Sequence, residues 1–156
     1  MKSEHINPFI QGAQTVFSTV CAERPKLGKP KLKKLPYKQD DVAIRLGIVG
    51  GLKGDVVYNM KEETAKALAS KMMMGFAVET FDDMAKSAVC ELTNMISGST
   101  CTLLSGQGFA ADITPPSVLT GQFEFAAASS VKDGIVSIPL QFQSGDVVEM
   151  DICVEA

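Results

Sequence analysis

At 156 residues, 46% of them apolar, the chain is long enough to bury one sizeable core and too short for two typical domains, so a single domain over 1–156 is expected. A net charge of -3 and a pI near 5.2 argue against a nucleic-acid partner, which would need a basic surface excess. No apolar run approaches the ~20 residues that span a bilayer, and the amino-terminal residues do not read as a secretory signal, so the expected location is the cytoplasm, with no membrane partner.

Asn7-Pro8 reads as a helix N-cap followed by proline at the first helical position, and Phe9, Ala13, Val16, Phe17 and Val20 recur at helical spacing, predicting a helix over 8–21. Residues 24–38 combine seven basic side chains with Pro25, Pro30 and Pro36, a composition that resists helix and central strand alike and predicts a loop or a loose edge segment. Within it Lys26, Lys29, Lys31, Lys33 and Lys34 either steer an acidic partner or keep an edge strand from pairing with other chains.

Alternation of Val42, Ile44, Leu46 and Ile48 predicts a half-buried strand over 41–49, which Gly50-Gly51 and Gly54 turn into a second strand through Val56, Tyr58 and Met60. Asn59 precedes Glu62 at capping-box spacing, and Ala65, Leu68, Ala69, Met72 and Met73 mark a helix that Gly75 closes. Its methionines read as core.

Thr80 and Asp83 open a third helix that reaches Gly98 and extends toward Leu104 before Gly106 and Gly108 break it. A segment at 109–113 leads to Pro115-Pro116. Alternating runs around Phe123, 136–142 and 148–154, joined at Lys132-Asp133-Gly134 and Ser144-Gly145-Asp146, then predict an antiparallel meander. Helices covering one face of that sheet give an α+β fold. Pro139 falls inside the middle strand of the meander, which demands an edge position or a bulge there.

Residue supply removes most familiar chemistries. The single histidine, His5, lies near a terminus, which leaves catalytic triads and histidine-based metal sites without their central member. Cys21, Cys90, Cys101 and Cys153 show no CxxC spacing and read as buried free thiols, and no phosphate-cradling glycine loop follows a strand. Helix three carries what remains. At ~100° per residue, Met84, Ala85, Ala88, Val89, Leu92, Met95 and Ile96 fall in an arc of roughly 140° that is expected to face the core. Ser87, Glu91, Asn94 and Gly98 form a polar stripe beside that arc, with Glu91 and Asn94 one turn apart.

A carboxylate and a carboxamide on a rigid helix suit one task in particular. An aspartyl phosphate is already activated and sits beside a metal ion in its own receiver domain, so a helper protein need only place a water in line and anchor itself. An amide can donate to and accept from that water, while a carboxylate can hold a lysine of the partner. On helix periodicity alone, the same pair also suits an idle solvated face.

The string Ser87-x-x-x-Glu91-x-x-Asn94-Met95, followed by Asp112-Ile113-Thr114-Pro115-Pro116-x-Val118-x-x-Gly121, resembles the signature of the CheC, CheX and FliY phosphatases. Asn7-Pro8-Phe9, Gly50-Gly51 and Gly54-x-x-x-Tyr58 extend the resemblance over nearly the whole chain, and the single motif on a long helix is most similar to CheX. The resemblance implies a CheC/CheX-like fold, a phosphorylated CheY-like receiver domain as substrate, and a homodimer. It also implies that Asn94 orients the in-line water and Glu91 grips the regulator. No cofactor of the chain's own is expected, the Mg2+ being the regulator's. A second such string, Glu4-His5-Ile6-Asn7, is set aside on the expectation that Pro8 keeps Asn7 out of helical conformation. Two other readings stay open: a non-catalytic receiver-binding module of a flagellar switch or signalling assembly, and a structural domain.

Overall fold

The alternation at 42–48 becomes the interior of an antiparallel sheet in a computed structural model that describes residues 2–34, 37–119 and 134–156. In chain order the elements are α1 Ser3–Cys21, β1 Lys26–Leu27, β2 Lys31–Lys33, β3 Val42–Gly50, β4 Lys53–Met60, α2 Glu62–Met72, α3 Asp83–Gly106, β5 Ala111–Ile113, β6 Ser117–Val118, β7 Ile135–Gln141 and β8 Val147–Glu155. The strands order as β1-β7-β8-β4-β3-β5, with β2 continuing along β7 and β6 along β3. This is the α+β, mainly antiparallel arrangement expected from the sequence.

Register explains the core. Ile44 pairs with Tyr58, Tyr58 with Met150 and Met150 with Ile138, while Leu46, Val56, Ile152 and Val136 form the next row on the same face. Phe9, Phe17, Leu68, Val89, Leu92 and Ile96 from the three helices close on these rows in one apolar cluster. Burying such side chains is worth roughly 1.5–3 kcal/mol each, which outweighs the weak propensities of the individual strands.

The other face is not solvated, so the half-buried expectation for β3 fails. Ala43, Val57, Ile135 and Cys153 make a second small cluster there, and around it lie buried polar groups. The side chain of Asp151 is fully buried, and its Oδ2 accepts from Lys33 Nζ at 3.0 Å, from Tyr37 and from Asn59 Nδ2 at 2.5 Å. Burial, and then the Asp151 charge, push the Tyr37 hydroxyl pKa upward, so that hydroxyl stays a donor. Asp55 pairs with Arg45 at 2.5 Å. Asn59 is therefore an interior strand residue and not the cap expected of it. Asp41 Oδ2 instead accepts from the Glu62 N–H at 3.1 Å, and Lys61 occupies the N-cap position of α2.

Three further expectations are corrected. The first helix begins at Ser3, with Pro8 buried inside it. Pro8 removes only one i→i-4 bond, and burial of Ile6, Pro8 and Phe9 against the core outweighs that loss. Glu4 and Asn7 thus do share an exposed helical face, and Pro8 does not keep Asn7 out of helical conformation as expected. The carboxy-terminal strands form a β7–β8 hairpin, but β8 inserts beside β4, and β5 and β6 lie against β3 at the opposite edge, so the meander is incomplete. The run around Phe123 and the Lys132-Asp133 turn lie outside the described residues.

Pro139 sits in β7 opposite the break between β1 and β2. Its carbonyl accepts from Gly28 N–H at 2.8 Å, so its nitrogen points to that same side, away from β8. The missing donor falls where the neighbouring strand is interrupted, and the ladder to β8 loses nothing.

The basic stretch becomes the short edge strands β1 and β2. Lys31 and Lys33 are committed to Glu149 and Asp151. Burial would raise the Glu149 pKa, but the two lysines and Ser137 outweigh it and hold the carboxyl below its usual range. No described helix is long and apolar enough to cross a membrane.

Candidate functional site

Helix α3 starts at Asp82, whose carboxylate accepts the Ala85 N–H at 2.9 Å. This places the cap one residue before Asp83 and two after Thr80. The helix is then clamped from behind. Tyr58 of β4 shares a 2.9 Å hydrogen bond with Ser97, both buried, one turn beyond Asn94. Gly12 of α1 lies against Thr100, where an added Cβ would come within 2.8 Å of its Oγ1 and 3.2 Å of the Ile96 carbonyl. Only glycine permits that approach of the two helices.

This clamp sets the rotation of α3 and overturns part of the helical-wheel expectation. The buried face consists of Ala85, Val89, Leu92, Thr93, Ile96, Ser97, Thr100, Cys101 and Leu104. Met84 and Met95, expected in the core arc, are instead 65% and 37% exposed. The hydroxyls that replace them inside are satisfied locally, Thr93 donating to the Cys90 carbonyl at 2.8 Å and Thr100 to that of Ile96 at 2.9 Å.

Glu91 projects into solvent and Asn94 is half-buried beside it. Among the described residues neither side chain makes a hydrogen bond or ion pair. With Ser87 and Cys90 they form the helix side of an open cleft of about 390 Å³, whose opposite wall is Ile113, Thr114, Pro115 and Pro116. Burial pushes the Cys90 thiol pKa up, which leaves it protonated and a poor nucleophile at neutral pH.

Periodicity did not reveal how that wall is built. β5 and β6 run along the same edge of β3, pairing Ile113 with Ile48 and Ser117 with Arg45, and the ladder is interrupted between them by the two prolines. Thr114 bridges the gap. Its N–H donates to the Gly47 carbonyl at 2.9 Å, and its side-chain oxygen accepts the Gly47 N–H at 2.8 Å, standing in for the carbonyl of a continuous strand. A Cβ at residue 47 would lie 2.9 Å from that oxygen, so glycine is needed opposite it. A hydroxyl residue immediately before a proline pair, with glycine in the facing strand, is the signal that points to this clasp.

The two strings of the form Glu-x-x-Asn are thereby distinguished by surroundings and not by spacing. Glu4 lies 3.9 Å from the imidazole of buried His5, which stacks edge-on against Phe109. Glu91 and Asn94 face a walled cleft.

Residues 42–141 match the family model described as chemotaxis phosphatase CheX. The chain is 33% identical over 122 residues to the CheY-P phosphatase CheX of Thermotoga maritima, covering 78% of this chain and 79% of that protein. Among solved structures, a CheC-like superfamily protein from Shewanella sp. PV-4 superposes over 100% of both chains with a TM-score of 0.84 and 29% identity. CheX of Borrelia burgdorferi, solved in complex with CheY, BeF3 and Mg2+, matches with a TM-score of 0.76 and 27% identity over 97% of this chain and 98% of that one.

Proposed function

Since this chain belongs to the CheX family of chemotaxis phosphatases, we propose that it removes the phosphoryl group from the active-site aspartate of a CheY-like receiver domain, with Asn94 and Glu91 carrying the reaction. The observation that supports the reading is the placement of these two side chains, adjacent, without partners among the described residues, and facing a cleft with a proline wall. The thermotogal relative bears the name of a CheY-P phosphatase, and the borrelial one forms a complex with CheY.

In this mechanism Glu91 takes a lysine ammonium of the receiver as a charge-assisted contact and fixes where α3 lies. Asn94 then reaches the phosphoryl group. Its amide accepts from and donates to a water held opposite the aspartyl oxygen. The water oxygen bonds to phosphorus as the bond to the aspartyl oxygen breaks, the carboxylate leaves with the electron pair, and the water proton goes to the phosphate. The divalent ion belongs to the receiver, and we assign no cofactor to this chain. The reaction is placed in the cytoplasm.

Phosphate release from acetyl-phosphate-charged receiver domains tests the assignment. The intact chain should accelerate release from at least one receiver. Asn94→Ala should lower turnover at saturating receiver by about 10²–10³-fold with binding retained, as for loss of a group that acts in the transition state. Glu91→Ala should weaken complex formation as well as turnover, because its contact exists in the ground state. Full turnover in a folded Asn94→Ala chain would overturn the mechanism and favour a receiver-binding module.

A further inference from the structure

On the exposed face of α3, Glu91 separates two rows. At 100° per residue, Ser87 and Asn94 lie on its cleft side, while Met84, Met95 and Ala88 lie on the other, within about 60° of it. The two methionines are the anomaly. Single exposed apolar residues are ordinary. These two, however, flank Glu91 along one line of a helix whose inward face carries three hydroxyl residues, Thr93, Ser97 and Thr100. The Gly12 contact and the Tyr58–Ser97 bond hold α3 in that rotation. Apolar area is thus kept in water beside the reactive pair while polar side chains are buried, a conflict that points to function.

We infer that Met84 and Met95 form an apolar docking ridge for the phosphorylated receiver domain, seating it on either side of Glu91 so that Asn94 enters its active site. The inference rests on the proposed function, and the ridge is continuous with the Glu91–Asn94 face that must meet the receiver. Methionine suits this position because its unbranched thioether adapts to a partner surface that changes shape between free and bound states. The division of labour follows from the chemistry. Glu91 contributes a contact that salt screens, whereas the methionines contribute area that salt does not screen.

The test measures binding of the intact chain to a CheY-like receiver loaded with beryllofluoride and Mg2+, at low and at 0.5 M salt (about 4 Å screening), beside steady-state phosphate release. Met84→Gln/Met95→Gln should raise Kd and KM about tenfold at both salt concentrations, with kcat within about twofold. Met84→Leu/Met95→Leu, which keeps the apolar area, should bind within about twofold of the parent chain. Equal Kd for the Gln pair and the parent overturns the inference. So does a Gln pair whose mass by light scattering falls while its Kd is unchanged, since the ridge would then be seated on a second copy of the chain. Failure of the parent chain to release phosphate from any receiver would count against the proposed function, and the binding arm would still decide the ridge.

Discussion

Thr114→Val removes one oxygen and keeps the branched shape, so it isolates the clasp that holds the cleft wall. In the parent, Gly47 N–H has the Thr114 hydroxyl oxygen as its acceptor at 2.8 Å, and Gly47 is buried. Valine leaves that donor without a partner, at a cost of about 1–3 kcal/mol, and the lower half applies because Thr114 is only half-buried and water can enter in part. At about 2–4 °C per kcal/mol for a chain of this size, about 1.5 kcal/mol lowers Tm by about 3–6 °C, measurable by differential scanning calorimetry. Turnover should fall further than stability alone accounts for. Pro115 and Pro116 face Asn94 across the cleft, and displacement of such a wall by about 1 Å can cost as much as 10²-fold in rate. Thr114→Ser restores the oxygen and should recover both quantities. A Thr114→Val chain with the parent's Tm and turnover would refute the idea that the hydroxyl positions the wall.

Lys33→Met keeps the aliphatic stem but leaves the buried Asp151 charge with Tyr37 and Asn59 as its remaining donors among the described residues. A loss of about 3 kcal/mol, seen as a fall in the denaturant midpoint, is expected, and Asp151→Asn in the same background should return part of it. Acid should weaken the same face. The Glu149 carboxyl titrates below its unfolded value, so its contribution is present above that value and is lost as pH falls through the folded one. Urea midpoints measured from pH 6 to 3 should fall, and less so when Lys31 and Lys33 are both replaced. The chain is expected to form a homodimer, as its family resemblance implies, and a monomeric mass by light scattering at micromolar concentration would contradict this.

The strand alternation at 42–48 and 56–60, the glycine turn between them and the helical spacing at 65–73 were legible because each is a local pattern that one buried face imposes. The stripe holding Glu91 and Asn94 was legible for the same reason, and the motif resemblance supplied the chemistry that periodicity lacks. Tertiary contacts decided the rest. Which way α3 turns depends on Gly12 and Ser97, and those contacts brought Thr93 and Thr100 inward and left Met84 and Met95 outside, against a helical wheel that counts only hydrophobicity. Pro8 reads locally as a helix start, yet burial of Ile6 and Phe9 draws the preceding turn into α1. Lys31 and Lys33 read as a free basic run until the β2–β7–β8 register sets them beside Glu149 and Asp151, five strand spacings of about 4.8 Å across the sheet from the edge that walls the cleft. At that distance, well beyond a Debye length of about 8 Å, their charge is screened from the cleft and pairs instead with half-buried Glu149 and buried Asp151. Local order follows from neighbours in sequence, whereas helix rotation, charge pairing and the clasp at Thr114 follow from residues that only the folded chain brings together.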